Sequence, residues 1–185
     1  MRPAGKGDKG RSAKGAPRQP RDATGDYRAK TEYEISLASR RMKESGHPAP
    51  LGDPSSGVVL VVEQPVGPRI LQALARSLKT VGLPESYVTY TSTGLLAEEI
   101  LAAEPHALVA VGPGAALEID ELGHPLAQAL FSQAERGAWF TWTKGTAGLV
   151  LPALAPALDD DAAKRRFWRA FQALRDLTPA DPPTR

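Results

Sequence analysis

At 185 residues the chain has the length of one ordinary domain with some tail to spare. Cysteine is absent, which excludes disulfides, thiolate catalysis and Cys-held zinc or iron–sulfur centres, and His47, His106 and His124 are too scattered to suggest a metal site. The net charge of +2 conceals a division: residues 1–30 carry nine basic and three acidic groups, a net of +6, which leaves −4 for residues 31–185.

No apolar run approaches the ~20 residues that a membrane helix needs. The first thirty residues are rich in Lys, Arg, Gly and Pro, unlike a secretory leader. A soluble, cytoplasmic protein is therefore expected, with no membrane partner. Residues 1–30 show no hydrophobic period, and such a segment cannot bury enough apolar surface to offset its chain entropy. They are expected to be disordered, either as an electrostatic arm for DNA or as a solvated extension.

A helix is expected from Thr31 to Gly46, followed by a linker to residue 56. Thr31 and Glu34 have the spacing of a capping box, and Gly46 and Pro48 would stop the chain. Ile35, Leu37, Ala38 and Met42 give it a weak apolar stripe, and Arg40, Arg41 and Lys43 suit its C-terminus.

Residues 57–178 alternate between strand and helix. Val58–Val62 is a β-branched run typical of a strand buried on both faces. The helical spacing of Ile70, Leu71, Leu74 and Leu78 predicts a helix from Arg69 to Val81. Strands are expected at Tyr87–Thr91 and His106–Val111. Between them a helix over Gly94–Ala103 would turn Leu95, Leu96, Ile100 and Leu101 inward, and a short helix would follow near Ala115–Ile119. Pro125–Glu135 reads as a further helix, and Ala138–Trp142 and Leu149–Leu151 as strands. A long last helix would run from the Asp159–Asp161 cap to about Leu177, with residues 179–185 disordered. The fold class is thus α/β, a three-layer α/β/α arrangement around a mainly parallel sheet. Ligands in such sheets bind at the carboxyl ends of the strands, which places Glu63–Gly67, Tyr90–Gly94 and Gly112–Gly114 on one rim.

Gly112-Pro113-Gly114 lies between a strand and a helix, like a phosphate cradle. Leu117 breaks the dinucleotide fingerprint, and Pro113 removes a donor. Trp139, Trp142 and Trp168 suit core packing or base stacking. Glu63, just beyond a buried strand, suits a general base, yet no His, Lys or second carboxylate stands at the other strand ends. Arg69, the close basic residue, would quench it by pairing.

Several segments carry a likeness by their order and spacing. They are Val61-Val62-Glu63-Gln64-Pro65, Gly82 to Tyr90, Glu104 to Gly112 with Ala115 and Ala116, Leu151-Pro152-Ala153-Leu154, and Phe167-Trp168. In these the chain resembles the uracil-DNA glycosylase superfamily, most closely its bacterial iron–sulfur branch, over roughly residues 50–177. The resemblance implies a uracil-DNA glycosylase-like fold and puts binding positions at Glu63, Gln64, Pro65, Tyr90, Thr91, Gly112, Gly114, Leu151 and Pro152.

The departures fall on the chemistry. Leu151 stands for the catalytic-motif His, Tyr90 for the uracil-reading Asn and Val62 for the leading Gly, and the cluster cysteines are missing. No iron–sulfur cluster or other cofactor is expected, and Glu63 is the one catalytic residue left. The closing segment Pro152-Ala153-Leu154, Leu158 and Trp168 is also similar to that of the clamp-loader psi subunit, a non-catalytic relative. The expected function is a non-catalytic protein of DNA replication or repair acting by contacts with DNA or with a replication or repair protein. The alternatives are a divergent active glycosylase, in which Glu63 positions water and Tyr90 or Thr91 reads the base, and an unrelated α/β nucleotide-binding enzyme using the Gly112–Gly114 turn.

Overall fold

Alternate residues of Val58–Val62 serve different faces of one sheet. Val58, Leu60 and Val62 pack into one hydrophobic cluster, and Val59 and Val61 into another. The computed structural model describes residues 23–44, 46, 49–64, 66–90 and 94–177. Its elements are α1 (Ala23–Glu44), β1 (Val58–Val62), α2 (Pro68–Thr80), β2 (Tyr87–Tyr90), α3 (Leu96–Ala103), β3 (Ala107–Val111), α4 (Pro113–Glu121), β4 (Trp139–Thr143), β5 (Thr146–Leu151), α5 (Leu154–Ala157) and α6 (Asp161–Phe171).

The strand order is β2-β1-β3-β5-β4. All neighbours are parallel except the β4–β5 pair. One face is covered by α2, α5 and α6 through Leu74, Leu78, Leu154, Phe167 and Phe171. The other is covered by α1, α3 and α4 through Ile35, Leu96, Ile100, Ala116 and Ile119. The three-layer α/β/α expectation is met. Every residue of β1 and β3 is buried, as a parallel sheet covered on both faces requires. The free edge of β2 is closed by Leu51, which exchanges two backbone hydrogen bonds with Val88 (3.0 and 2.8 Å).

Four sequence expectations need correction. The first helix begins at Ala23, eight residues before Thr31, so residues 23–30 belong to the fold. Its early turns are held by tertiary bonds: the Tyr27 hydroxyl donates to Ala103 O (2.7 Å) and the Thr31 hydroxyl to Ala102 O (3.1 Å). Thr31 thus caps the carbonyl end of α3 instead of starting a helix of its own. Residues 1–22 and 179–185, where disorder was expected, lie outside the described residues, as does Thr178.

Pro125–Glu135 forms no α-helix, only a 3₁₀ turn at Phe131–Gln133. Its amides are taken by other elements, Phe131 and Ser132 by the Asp120 carboxylate (2.7 and 2.9 Å) and Gln128 by Trp142 O (2.7 Å). Finally, Leu101 points outward, 62% exposed. The last helix is divided, with α5 ahead of it and 3₁₀ turns at Gln172–Leu177 after it. Its cap is Asp160, whose two oxygens accept the amides of Ala162 and Ala163 at 3.0 Å each. Those amides hold the Asp160 carboxyl below its ordinary pKa.

Candidate functional site

The carboxyl ends of β1, β3 and β5 meet at Glu63, Gly112 and Leu151. Glu63 continues the ladder by donating its amide to Val111 O (3.2 Å) and turns its half-buried side chain toward the start of α4. There Oε2 accepts the Gly114 amide at 2.6 Å. A helix N-terminus favours an anion, since its first amides lack partners within the helix. The chain supplies that anion from its own side chain.

Two glycines make the approach possible. Gly112 has φ +99 and ψ 155, a conformation open essentially to glycine alone. A Cβ there would fall onto the Glu63 carboxylate, and one on Gly114 would lie 2.9 Å from Oε2. The remaining amides of the turn offer little to a phosphate. The Gly112 amide donates to Leu151 O (3.1 Å), Pro113 has none, and that of Gly114 goes to Glu63.

The other expected positions divide. Tyr90 is fully buried and donates its hydroxyl to Ala49 O (2.8 Å). Burial, with the charge of Glu99 adding to it, pushes its phenol pKa upward. Leu151 is likewise fully buried, in the core cluster with Tyr90, Val62 and Val111. Gln64 is exposed and accepts the Val66 amide (3.2 Å). Pro65 and Thr91 lie outside the described residues. Pro152 turns away into a separate cleft beside α6.

Arg69 does not reach Glu63. It donates to Asp159 (2.9 Å) and to Leu158 O (3.1 Å) on the surface. The void beside Glu63, bounded by Val62, Ile70, Val111 and Leu154, is about 50 Å³. Ligand pockets run from roughly 300 to 1,000 Å³. Water fits there; a nucleobase does not. The tryptophans serve packing: Trp142 is buried, and Trp139 on β4 and Trp168 on α6 lie against the core. Among the described residues no three acidic or His side chains are grouped to hold a metal ion.

Two constellations went unseen in the sequence. The first is a buried polar group in which Glu99 Oε1 accepts the hydroxyls of Tyr87 and Thr89, each at 2.7 Å. Tyr87 and Thr89 are two residues apart on a strand and so share a face, which was the available signal. Burial, reinforced by Glu99, drives the Tyr87 phenol pKa far above its usual value. The second is the cleft that Pro152 enters, about 380 Å³ and edged by Arg136, Arg166 and Arg169. Arg166 and Arg169 are three apart on α6, hence neighbours on its surface, but nothing in the sequence brings Arg136 to them. Searches against protein-family models and curated proteins found nothing that matches this chain.

Proposed function

We propose that the chain is a non-catalytic member of the uracil-DNA glycosylase-like proteins that acts by contact in DNA replication or repair. The observation that supports this best is what occupies the described strand ends. Glu63, the one catalytic-type residue carried by the resemblance, has its carboxylate at the α4 N-terminus on the Gly114 amide. Tyr90 and Leu151, standing for the base-reading Asn and the catalytic His, fill core volume. Excision needs a flipped nucleotide in a fitted pocket and a group to stabilise the departing base. Loss of one preorganised electrostatic group commonly costs about 10²–10³ in rate, and two positions are altered here. A protein whose described strand ends leave only about 50 Å³ beside Glu63 is suited to binding or assembly.

The test is incubation of the full chain with single- and double-stranded uracil-containing DNA, followed by detection of abasic sites. No excision above that of a buffer control is expected. Excision that disappears in Glu63→Gln would overturn the non-catalytic reading in favour of a divergent glycosylase.

A further inference from the structure

We propose that the cleft between the start of β4, the end of β5 and α6 binds the phosphate backbone of DNA. The inference rests on the DNA-contact reading above and names the surface that makes the contact. Arg136, Arg166 and Arg169 are all exposed, on two separate parts of the chain, and all border this one space of about 380 Å³. The other lining residues are Gly137, Pro152 and Ala170, none with a side chain long enough to obstruct a guanidinium. Gly137 has φ +81, and a Cβ on it would come within 3.1 Å of Ala170, so the floor is formed by close backbone approach.

Three guanidiniums repel one another unless an anion lies between them. Arg166 has a loose, exposed pairing with Asp160 at 3.9 Å, of the kind worth little in water. Arg136 and Arg169 have no ion-pair partner among the described residues. The three arginines stand in a part of the chain, residues 31–185, that carries a net −4. Guanidinium forks match phosphate oxygens in a bidentate way, and an open cleft admits a continuous strand. The cleft also lies just past the carboxyl end of β5, at the end of the rim where α/β sheets take ligands.

The experiment measures binding of labelled single-stranded and duplex oligonucleotides to the full chain across a salt series. It compares the natural protein with Arg136→Gln/Arg166→Gln/Arg169→Gln and uses melting to confirm that the variant is folded. The expected result is an affinity at least about tenfold lower at 0.1 M salt and a salt-dependence slope smaller by about 2 to 3, one step per lost phosphate contact. Should the triple variant not fold, Arg169→Gln alone is expected to lower the slope by about 1. Natural protein that binds DNA with a slope the variants leave unchanged would overturn the cleft while leaving the DNA reading intact. Absence of DNA binding by the natural protein would overturn both. Displacement of DNA by inorganic phosphate or polyglutamate at equal charge concentration would also overturn the proposal, by showing a site for small anions or for acidic protein.

Discussion

Glu63 and Glu99 are two carboxylates turned inward by opposite means. Glu63 sits at the end of β1, half-buried, and takes a backbone amide that two glycines allow it to approach. Glu99 sits within α3, fully buried, and takes two side-chain hydroxyls from β2. At Glu63 the backbone holds the charge, and the cost of losing it is that of one charged hydrogen bond near water. At Glu99 each partner is itself buried, so removing the carboxylate strands two donors in the core. Glu63 thus answers one backbone amide at the strand end, whereas Glu99 answers two buried side chains on the α3 side.

Breaking the Glu99 side should have the largest effect. Glu99→Ala leaves the Tyr87 and Thr89 hydroxyls without their acceptor and opens a void, which should cost about 3 kcal/mol or more in denaturant unfolding. Glu99→Gln, which keeps an acceptor oxygen, should cost less than half of that. Equal losses would mean that charge, not acceptance, is what matters there.

Gly112→Ala attacks the Glu63 side through the backbone. A side chain at this φ costs about 1–3 kcal/mol, and it also displaces the carboxylate. Glu63→Gln keeps the shape and weakens only the anion at the helix start, so about 1 kcal/mol is expected. If Gly112→Ala costs no more than Glu63→Gln, the close approach is not what makes glycine necessary.

The smallest effect at neutral pH distinguishes the regions by titration. In the unfolded chain Tyr87 and Tyr90 ionise near 10.0, while in the fold both are raised, first by burial and then by Glu99. Below pH 10 the folded and unfolded states hold these protons equally. Above it the unfolded state releases them first, so stability falls as pH rises toward the folded values. Unfolding midpoints measured from pH 8 to 11 should therefore decline above 10. Tyr87→Phe should flatten that decline, and a variant as alkali-sensitive as the natural chain would show that Tyr87 does not control it.

Local pattern carried the layers well. The β-branched runs of β1 and β3 and the helical spacing of Leu74 and Leu78 are properties of short segments, and each formed as expected. What failed depended on distant partners. Ala23–Lys30 looks unstructured because it has no apolar stripe, yet hydroxyls of Tyr27 and Thr31 anchor α1 to the end of α3. Pro125–Glu135 has helical spacing, but Asp120 and Trp142 claim its amides. At the rim, Glu63 and Gly112 were legible because a strand end is recognisable in sequence; that Glu63 passes close over Gly112 to accept the Gly114 amide was not. Nothing in the sequence singles out Glu99 within its helix, and only the fold reveals that it turns inward while Glu98 stays exposed.

α1 lies antiparallel on α3: its early residues Tyr27 and Thr31 meet Ala103 and Ala102 at the end of α3, and Ile35 and Ala38 lie with Leu95 and Glu98 at its start. Tyr27 is tied to Ala103, just ahead of the amino end of β3, so the chain reaches the fold from that end. The arginine cleft lies past the carboxyl end of β5, and the two ends are at least one strand apart, about 17 Å for five residues. The start of α1 therefore stands at the end of the sheet opposite the arginines. Release of the start of α1 from α3 would therefore leave the arginine cleft standing, because the whole length of the sheet separates them.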